Sequence, residues 1–248
     1  MRRSLLLATL CLPLFLVGAA SSRDAFAAGE RLSAEAPPVG PFSQLVVSGR
    51  AELILVQGTR ETVVVEAFPS DGARVRVRSS DGKLSIDAAG GPTTKIPFGE
   101  TAARVPTITV HFKTLESVSL AGSVKLNAAS IEGHALRVNA IGATSFSVAV
   151  LKVGALHYVG SGAAKADFAG TATEQHVSIA GAGVFRAPAL VSKEANVSVT
   201  GAGKVVVNVQ EKLHASVSGA GAVEYYGDPQ VTKRVTGAGK FRQRSQSA

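Results

Sequence analysis

The chain has 248 residues, a formal net charge of +8, 5% aromatic residues and a single cysteine, which excludes a disulfide within the chain. A basic balance suits anionic surfaces such as phosphorylated lipids, acidic glycans or nucleic acid. No recognition motif with interleaved aromatics accompanies the charge, so nucleic acid is set aside in favour of a solvated basic face.

The first residues read as a secretory signal. Arg2 and Arg3 precede an apolar run over 5–20, and Ala25-Phe26-Ala27 offers a small-residue cleavage site that would leave Ala28 as the new N-terminus. The run is broken by Pro13 and Gly18 and is shorter than the roughly 20 residues that span a bilayer. Cys11 lies inside it after Leu10, which is the wrong context for lipidation. Cleavage removes Arg2, Arg3, Arg23 and Asp24, so the exported chain stays basic, carries no cysteine and has no transmembrane anchor.

Residues 28–41, rich in Ala, Pro and Glu, are expected as a flexible leader, with order beginning at Phe42. Leu45-Val46-Val47-Ser48-Gly49 reads as a strand ending in a glycine corner, and 51–58 continue it. Strands are predicted over 62–67 and 73–78, where Arg74, Arg76 and Arg78 alternate with Val75 and Val77 as on a half-exposed strand. Asp81-Gly82 marks a hairpin turn before Lys83-Leu84-Ser85-Ile86. Residues 90–106 read as a loop or insertion, followed by a strand over 107–112.

From there the chain repeats itself. Small-residue turns recur at Ala121-Gly122-Ser123, Ile141-Gly142-Ala143, Gly160-Ser161-Gly162, Gly181-Ala182-Gly183, Gly201-Ala202-Gly203, Gly219-Ala220-Gly221 and Gly237-Ala238-Gly239, about every 18 to 21 residues. Aligned on the first glycine of each copy, the positions four and two before it are mostly apolar. They hold Val118, Val138, Leu156, Val177 and Val197, and Leu120, Ala140, Tyr158, Ile179 and Val199, with Ser119, Asn139, His157, Ser178 and Ser198 between them. This is period-two alternation with one buried face, and four residues beyond the glycine another mostly apolar column begins with Leu126 and Phe146. Antiparallel hairpins could use such strands, but constant columns favour a parallel solenoid, in which like positions of successive coils stack at about 4.8 Å. The glycines then serve as corners that need positive φ or a close approach of the next coil. A phosphate loop does not fit, because no third glycine or Lys-Ser/Thr follows at the required spacing and no helix opens there. The recurring aspartate of a calcium-binding glycine repeat is also missing.

The chain from Phe42 to Phe241 resembles the putative autotransporter-adhesin, head GIN domain family of bacterial envelope proteins. The most specific stretch runs from Gly219-Ala220-Gly221 through Tyr225-Tyr226-Gly227-Asp228-Pro229 to Gly237-Ala238-Gly239, supported by Gln57-Gly58 and by Asp81-Gly82-Lys83-Leu84-Ser85-Ile86. The resemblance implies an all-β, right-handed parallel β-helix over 42–241 in the cell envelope, with an adhesive role. The 242–248 tail is expected to be disordered. Most corners here are Gly-Ala-Gly or weaker forms where the family often has Gly-Ser-Gly, which removes some exposed hydroxyls.

Two functions are weighed on this scaffold. A binding or scaffolding module would use the polar outer face to follow a repetitive ligand such as a cell-surface glycan, or another envelope component. A polysaccharide lyase or hydrolase would need a site, and the best candidates are Glu174 and Glu194, seven residues before their glycines, with His176, Asn196 and His214 five before theirs. Carboxylates on adjacent coils could approach within about 5 Å. They lack an evident pocket to raise one pKa, so a solvated ladder is the better reading. His111, His134 and His157 fall at other offsets, no Gly-x-Ser-x-Gly elbow is present, and neither a metal nor a cofactor is expected. Lys240, Arg242 and Arg244 near the C-terminus read as residues that discourage strand addition at an open edge.

Overall fold

The computed structural model describes residues 32–35, 39–67, 74–89 and 105–245. The signal segment, its cleavage triplet, Cys11 and nearly all of the insertion expected over 90–106 lie outside the described residues.

Among the described residues there is no helix, and the strands form a parallel β-solenoid of about six turns. Its body is five long strands, β7 (Ser117–Gly142), β8 (Ser145–Gly162), β9 (Lys165–Gly181), β10 (Val184–Gly201) and β11 (Lys204–Gly219), which pair in parallel in chain order. Valine and serine alternation sets the register. Val197 and Val199 are buried while Ser198 is exposed, and the triplets Val177–Val197–Ala215 and Ile179–Val199–Val217 lie in line from coil to coil. Each fully buried Val or Ile is worth about 1.5–3 kcal/mol, and a one-residue slip would turn a whole column to water.

The corner column consists of Gly49, Gly122, Gly142, Gly162, Gly181, Gly201, Gly219 and Gly237, all at φ between 89° and 109°. A Cβ on Gly201 would sit 2.8 Å from the Gly181 carbonyl oxygen, the same oxygen that accepts a 2.9 Å bond from the Ala202 N–H. The corner therefore needs glycine twice over, for its φ and for the approach of the preceding coil. The second glycine of Gly-Ala-Gly has another cause. A Cβ on Gly203 would lie 2.7 Å from Ile179 Cγ2, and one on Gly221 would lie 2.6 Å from Val199 Cγ1. In the later coils Ile179, Val199 and Val217 stand two before their corners and glycine two after them (Gly183, Gly203, Gly221), whereas Ala140 and Gly160 go with Thr144 and Ala164; in the first coil Val47 goes with Ala51.

The third copy turns at Gly162, not at Gly160 as the motif alignment expected. Gly160 is an inward position whose missing side chain is replaced by the ring of Tyr158, with Cε1 2.9 Å from where a Cβ would be. Residues before the turn in that copy are therefore two places farther from their corner than aligned, and those after it two places nearer. Inward and outward faces survive, because two is the strand period. Column membership does not: His157 now stands five before its corner.

Large side chains gather inside this part of the solenoid. Phe168 packs against Phe146 and Phe185 at ring distances of 5.4 and 5.5 Å, and Tyr158 lies 5.2 Å from Phe185. The Tyr158 hydroxyl is buried without a partner, and burial pushes its pKa up.

The N-terminal half does not stack in chain order. β2 (Gln44–Gln57) pairs on one edge with β7 and on the other with β5 (Lys83–Ala89) and β6 (Thr107–Phe112). β4 (Arg74–Ser80) forms the predicted hairpin with β5, while β3 (Thr62–Ala67) runs antiparallel to β6. Part of the expected leader is a strand, β1 (Leu32–Glu35), antiparallel to β3. Its backbone satisfies an edge of β3 that would otherwise be bare, a driving force that its Ala- and Glu-rich composition does not reveal. At the other end β12 (Ala222–Tyr226), β13 (Gln230–Thr236) and β14 (Lys240–Gln243) complete the last coil, so Arg242 and Gln243 of the expected tail are in a strand.

Candidate functional site

The outward column five residues before the corners brings together more than the sequence pattern did. Arg137, His157, His176, Asn196, His214 and Thr232 follow one another in register across β7, β8, β9, β10, β11 and β13. The His157 and His176 rings stack at 4.6 Å with 4° between their planes. Burial, then the neighbouring His176, then Arg137 hold the His157 pKa below its ordinary value, with Glu174 opposing. The signal that could have found His157 is the second glycine of Gly160-Ser161-Gly162; aligning on it restores the column.

Beside this column, three before the corners, stand Asn139, Val159, Ser178, Ser198, Ser216 and Arg234. The two columns line a groove of about 430 Å³ that crosses five strands from His157 to Thr232 and stays open to solvent. A serine hydroxyl and an imidazole or amide group recur together on its three middle strands, β9, β10 and β11, with His157 and Val159 before them on β8 and Thr232 and Arg234 after them on β13. It can offer hydrogen bonds to an extended ligand but encloses none.

Glu174 and Glu194 face each other on β9 and β10, as expected from their offsets. Each is engaged elsewhere: Glu174 Oε2 lies 3.3 Å from His176 Nε2, and Glu194 Oε1 accepts a 2.8 Å bond from Lys212 Nζ. The Lys212 hydrogen bond and charge hold Glu194 below the usual carboxylate range. A general acid requires the opposite shift, and both side chains are well exposed. His111 and His134 lie in other coils, on β6 and β7. Among the described residues no three His, Cys, Asp or Glu side chains converge as a metal site would require.

A second polar cluster was not singled out in the sequence. Glu224 is paired with Lys204 at 3.2 Å and with Arg244 at 2.9 Å. Burial works to raise its pKa, but the two cations together outweigh it and hold the carboxyl below its ordinary value. This triad ties β11, β12 and the residue after β14 together and leaves no carboxyl free for chemistry.

The crystal structure of a putative adhesin from Bacteroides fragilis superposes with a TM-score of 0.77 at 19% identity, covering 87% of this chain and 98% of that one. A putative lipid binding protein from Parabacteroides distasonis and a putative adhesin from Parabacteroides merdae each give 0.64, at 16% and 18% identity, over 87% of this chain and 97% of theirs. Identities this low establish a shared fold. Among curated proteins none matches the chain. A family profile described as "putative auto-transporter adhesin, head GIN domain" covers residues 41–229, from the first strand of the solenoid to its last coil, and the chain belongs to that family.

Proposed function

We propose that the chain is an exported, non-enzymatic binding module of the bacterial envelope, adhesin-like in role, whose ladder face takes a cell-surface glycan or another envelope component. The observation that carries this reading is the groove between the two outward columns, where the same kinds of hydrogen-bonding side chain recur on successive coils. Membership of the adhesin family and the putative-adhesin relatives support it. The hydrolase or lyase alternative is disfavoured by the engagement of Glu174 with His176 and of Glu194 with Lys212.

Export rests on the basic and apolar N-terminal pattern, with Ala28 as the expected first residue of the processed chain. No helix among the described residues is long and apolar enough to cross a membrane. Intact mass of the exported protein checks the processing site, and protease shaving of whole cells distinguishes periplasmic from external display. A retained Met1 in the exported fraction rules out the signal. For the binding role, processed protein is screened against neutral and acidic polysaccharides for capture and for turnover. Capture without cleavage is expected, unchanged by the double substitution Glu174→Gln with Glu194→Gln. Cleavage abolished by that double variant at an unchanged melting temperature would promote the enzyme instead.

A further inference from the structure

We propose that the ligand of this groove is a carboxylated polysaccharide lying along the solenoid axis, and that protonation of the groove's histidines tightens its hold. The proposal rests on the binding-module reading above and adds the ligand's charge, its direction and its response to pH.

Direction follows from the ladder. Equivalent side chains lie one strand spacing apart, about 4.8 Å, along the axis and not along any strand. A ligand following the axis meets a serine hydroxyl and an imidazole or amide at each of the rungs formed by His176 with Ser178, Asn196 with Ser198, and His214 with Ser216. A polymer of repeating polar units can use every rung, whereas a compact ligand uses one or two.

Charge follows from what is left unpaired. Arg137 precedes the groove in the column and Lys233 and Arg234 close its far end, with three histidines between. Lys233 is turned over the Phe241 ring at 5.2 Å, while Arg234 is exposed and makes no ion pair among the described residues. The acids nearest the groove, Glu174 and Glu194, stand one outward position to its side and are met by His176 and Lys212. The groove's own lining therefore contains histidines, Lys233 and Arg234 and no carboxylate. Its open, shallow form suits a glycan better than an acyl chain, which requires an enclosed apolar cavity.

The pH response has a definite sign. His157 faces Arg137 from β7 and His176 and Glu174 from β9; His214 faces Glu194 from β10, shares β11 with Lys212, and has Thr232 and Arg234 beyond it on β13. In the free protein the stacked His157 is held below its ordinary value by burial and by the neighbouring His176 and Arg137, so it carries little charge near neutrality. A carboxylate laid over the rings favours their charged forms and raises their pKa on binding. That contribution is full when the histidines are protonated and is lost as the pH rises through the imidazole range. Each unit of pKa gained on binding tightens the complex about tenfold on passing below that range.

Calorimetric titration of the processed protein with polygalacturonate, at pH about 5.5 and about 7.5, tests this on either side of the histidine range. Dextran and phosphatidylglycerol vesicles are run in parallel. The expected result is binding to polygalacturonate about tenfold tighter at the lower pH, with dextran and vesicles weaker. The double variant His157→Gln with His176→Gln should lose most of that pH response. Arg234→Gln should weaken binding about fivefold at both pH values, the worth of one exposed ion pair. Arg76→Gln, which removes an equal charge from β4, should change nothing. An equal loss in Arg76→Gln, a pH response that survives in the double histidine variant, or preference for vesicles overturns the proposal. Dextran bound as well as polygalacturonate overturns the anionic ligand and leaves the binding module standing, whereas cleavage of either polysaccharide overturns the module itself.

Discussion

Replacing Gly203 with alanine tests whether the second glycine of each Gly-Ala-Gly turn exists for packing. The new Cβ would stand 2.7 Å from Ile179 Cγ2, 3.2 Å from the Gly183 carbonyl oxygen and 3.3 Å from Val199 Cγ1. Ordinary carbon contacts are about 3.5–4.0 Å, so the closest overlap approaches 1 Å. Overpacking of this kind costs about 1–3 kcal/mol. Gly203 is not at positive φ, so alanine also recovers about 0.4–1 kcal/mol by restricting the unfolded chain. The net loss should be about 1–2 kcal/mol. Ile179→Ala alone removes a buried side chain and should cost about 2–5 kcal/mol. Together the two changes should fall short of their sum by about 1–2 kcal/mol, because deleting the Ile179 methyl removes the clash and the new methyl refills part of the void. Urea denaturation with an unchanged m-value provides the measurement. Gly201→Ala is the control: the atoms nearest its Cβ would be Gly181 backbone atoms, at φ +108°, so Ile179→Ala should not rescue it. Additivity of Gly203→Ala with Ile179→Ala to within about 0.5 kcal/mol would refute the packing explanation.

Three further outcomes follow from the same packing and charges. Val199→Asp should cost several kcal/mol more than Ser198→Asp, since only the first places a carboxyl among buried side chains; equal melting temperatures would mean the columns are misassigned. Tyr158→Phe should raise stability by about 1 kcal/mol, because it deletes a buried hydroxyl that has no partner, and a loss of stability in thermal melts would reveal a hydrogen bond there. Glu224 has a depressed folded pKa, so its contribution is complete above the unfolded carboxylate value of about 4.3 and is lost as the pH falls through the lower folded value. In acid titrations followed by circular dichroism, Glu224→Gln should flatten that part of the stability profile, and an unchanged profile would show that Lys204 and Arg244 do not hold the carboxylate.

Much of the candidate site was legible because strand parity is robust. Any even misalignment keeps inward and outward residues apart, so Glu174, Glu194, His176, Asn196 and His214 were placed on the outer face without coordinates. His157 was missed for the same reason: a two-residue error left its outward character intact and moved it out of its column. Nothing local in Gly160-Ser161-Gly162 says which glycine turns, since that depends on the Tyr158 ring lying over Gly160. Glu224 escaped notice because its two cations come from β11 and from beyond β14, separated from it in sequence and joined only by the last coil.

The all-β class, the 18- to 21-residue repeat, the buried valine and outward serine columns, most of the glycine corners and the hairpin at Asp81-Gly82 can all be read from the order of residues. These rest on short-range facts, period-two alternation and backbone freedom, that each repeat states again. Tertiary structure alone decided that β2 lies between β5 and β6 on one side and β7 on the other, that Leu32–Glu35 covers the edge of β3, that Gly162 turns instead of Gly160, and that the histidines form one ladder. Those outcomes depend on which backbone edge is left unpaired and which interior volume is left unfilled, quantities that exist only once the coils are stacked.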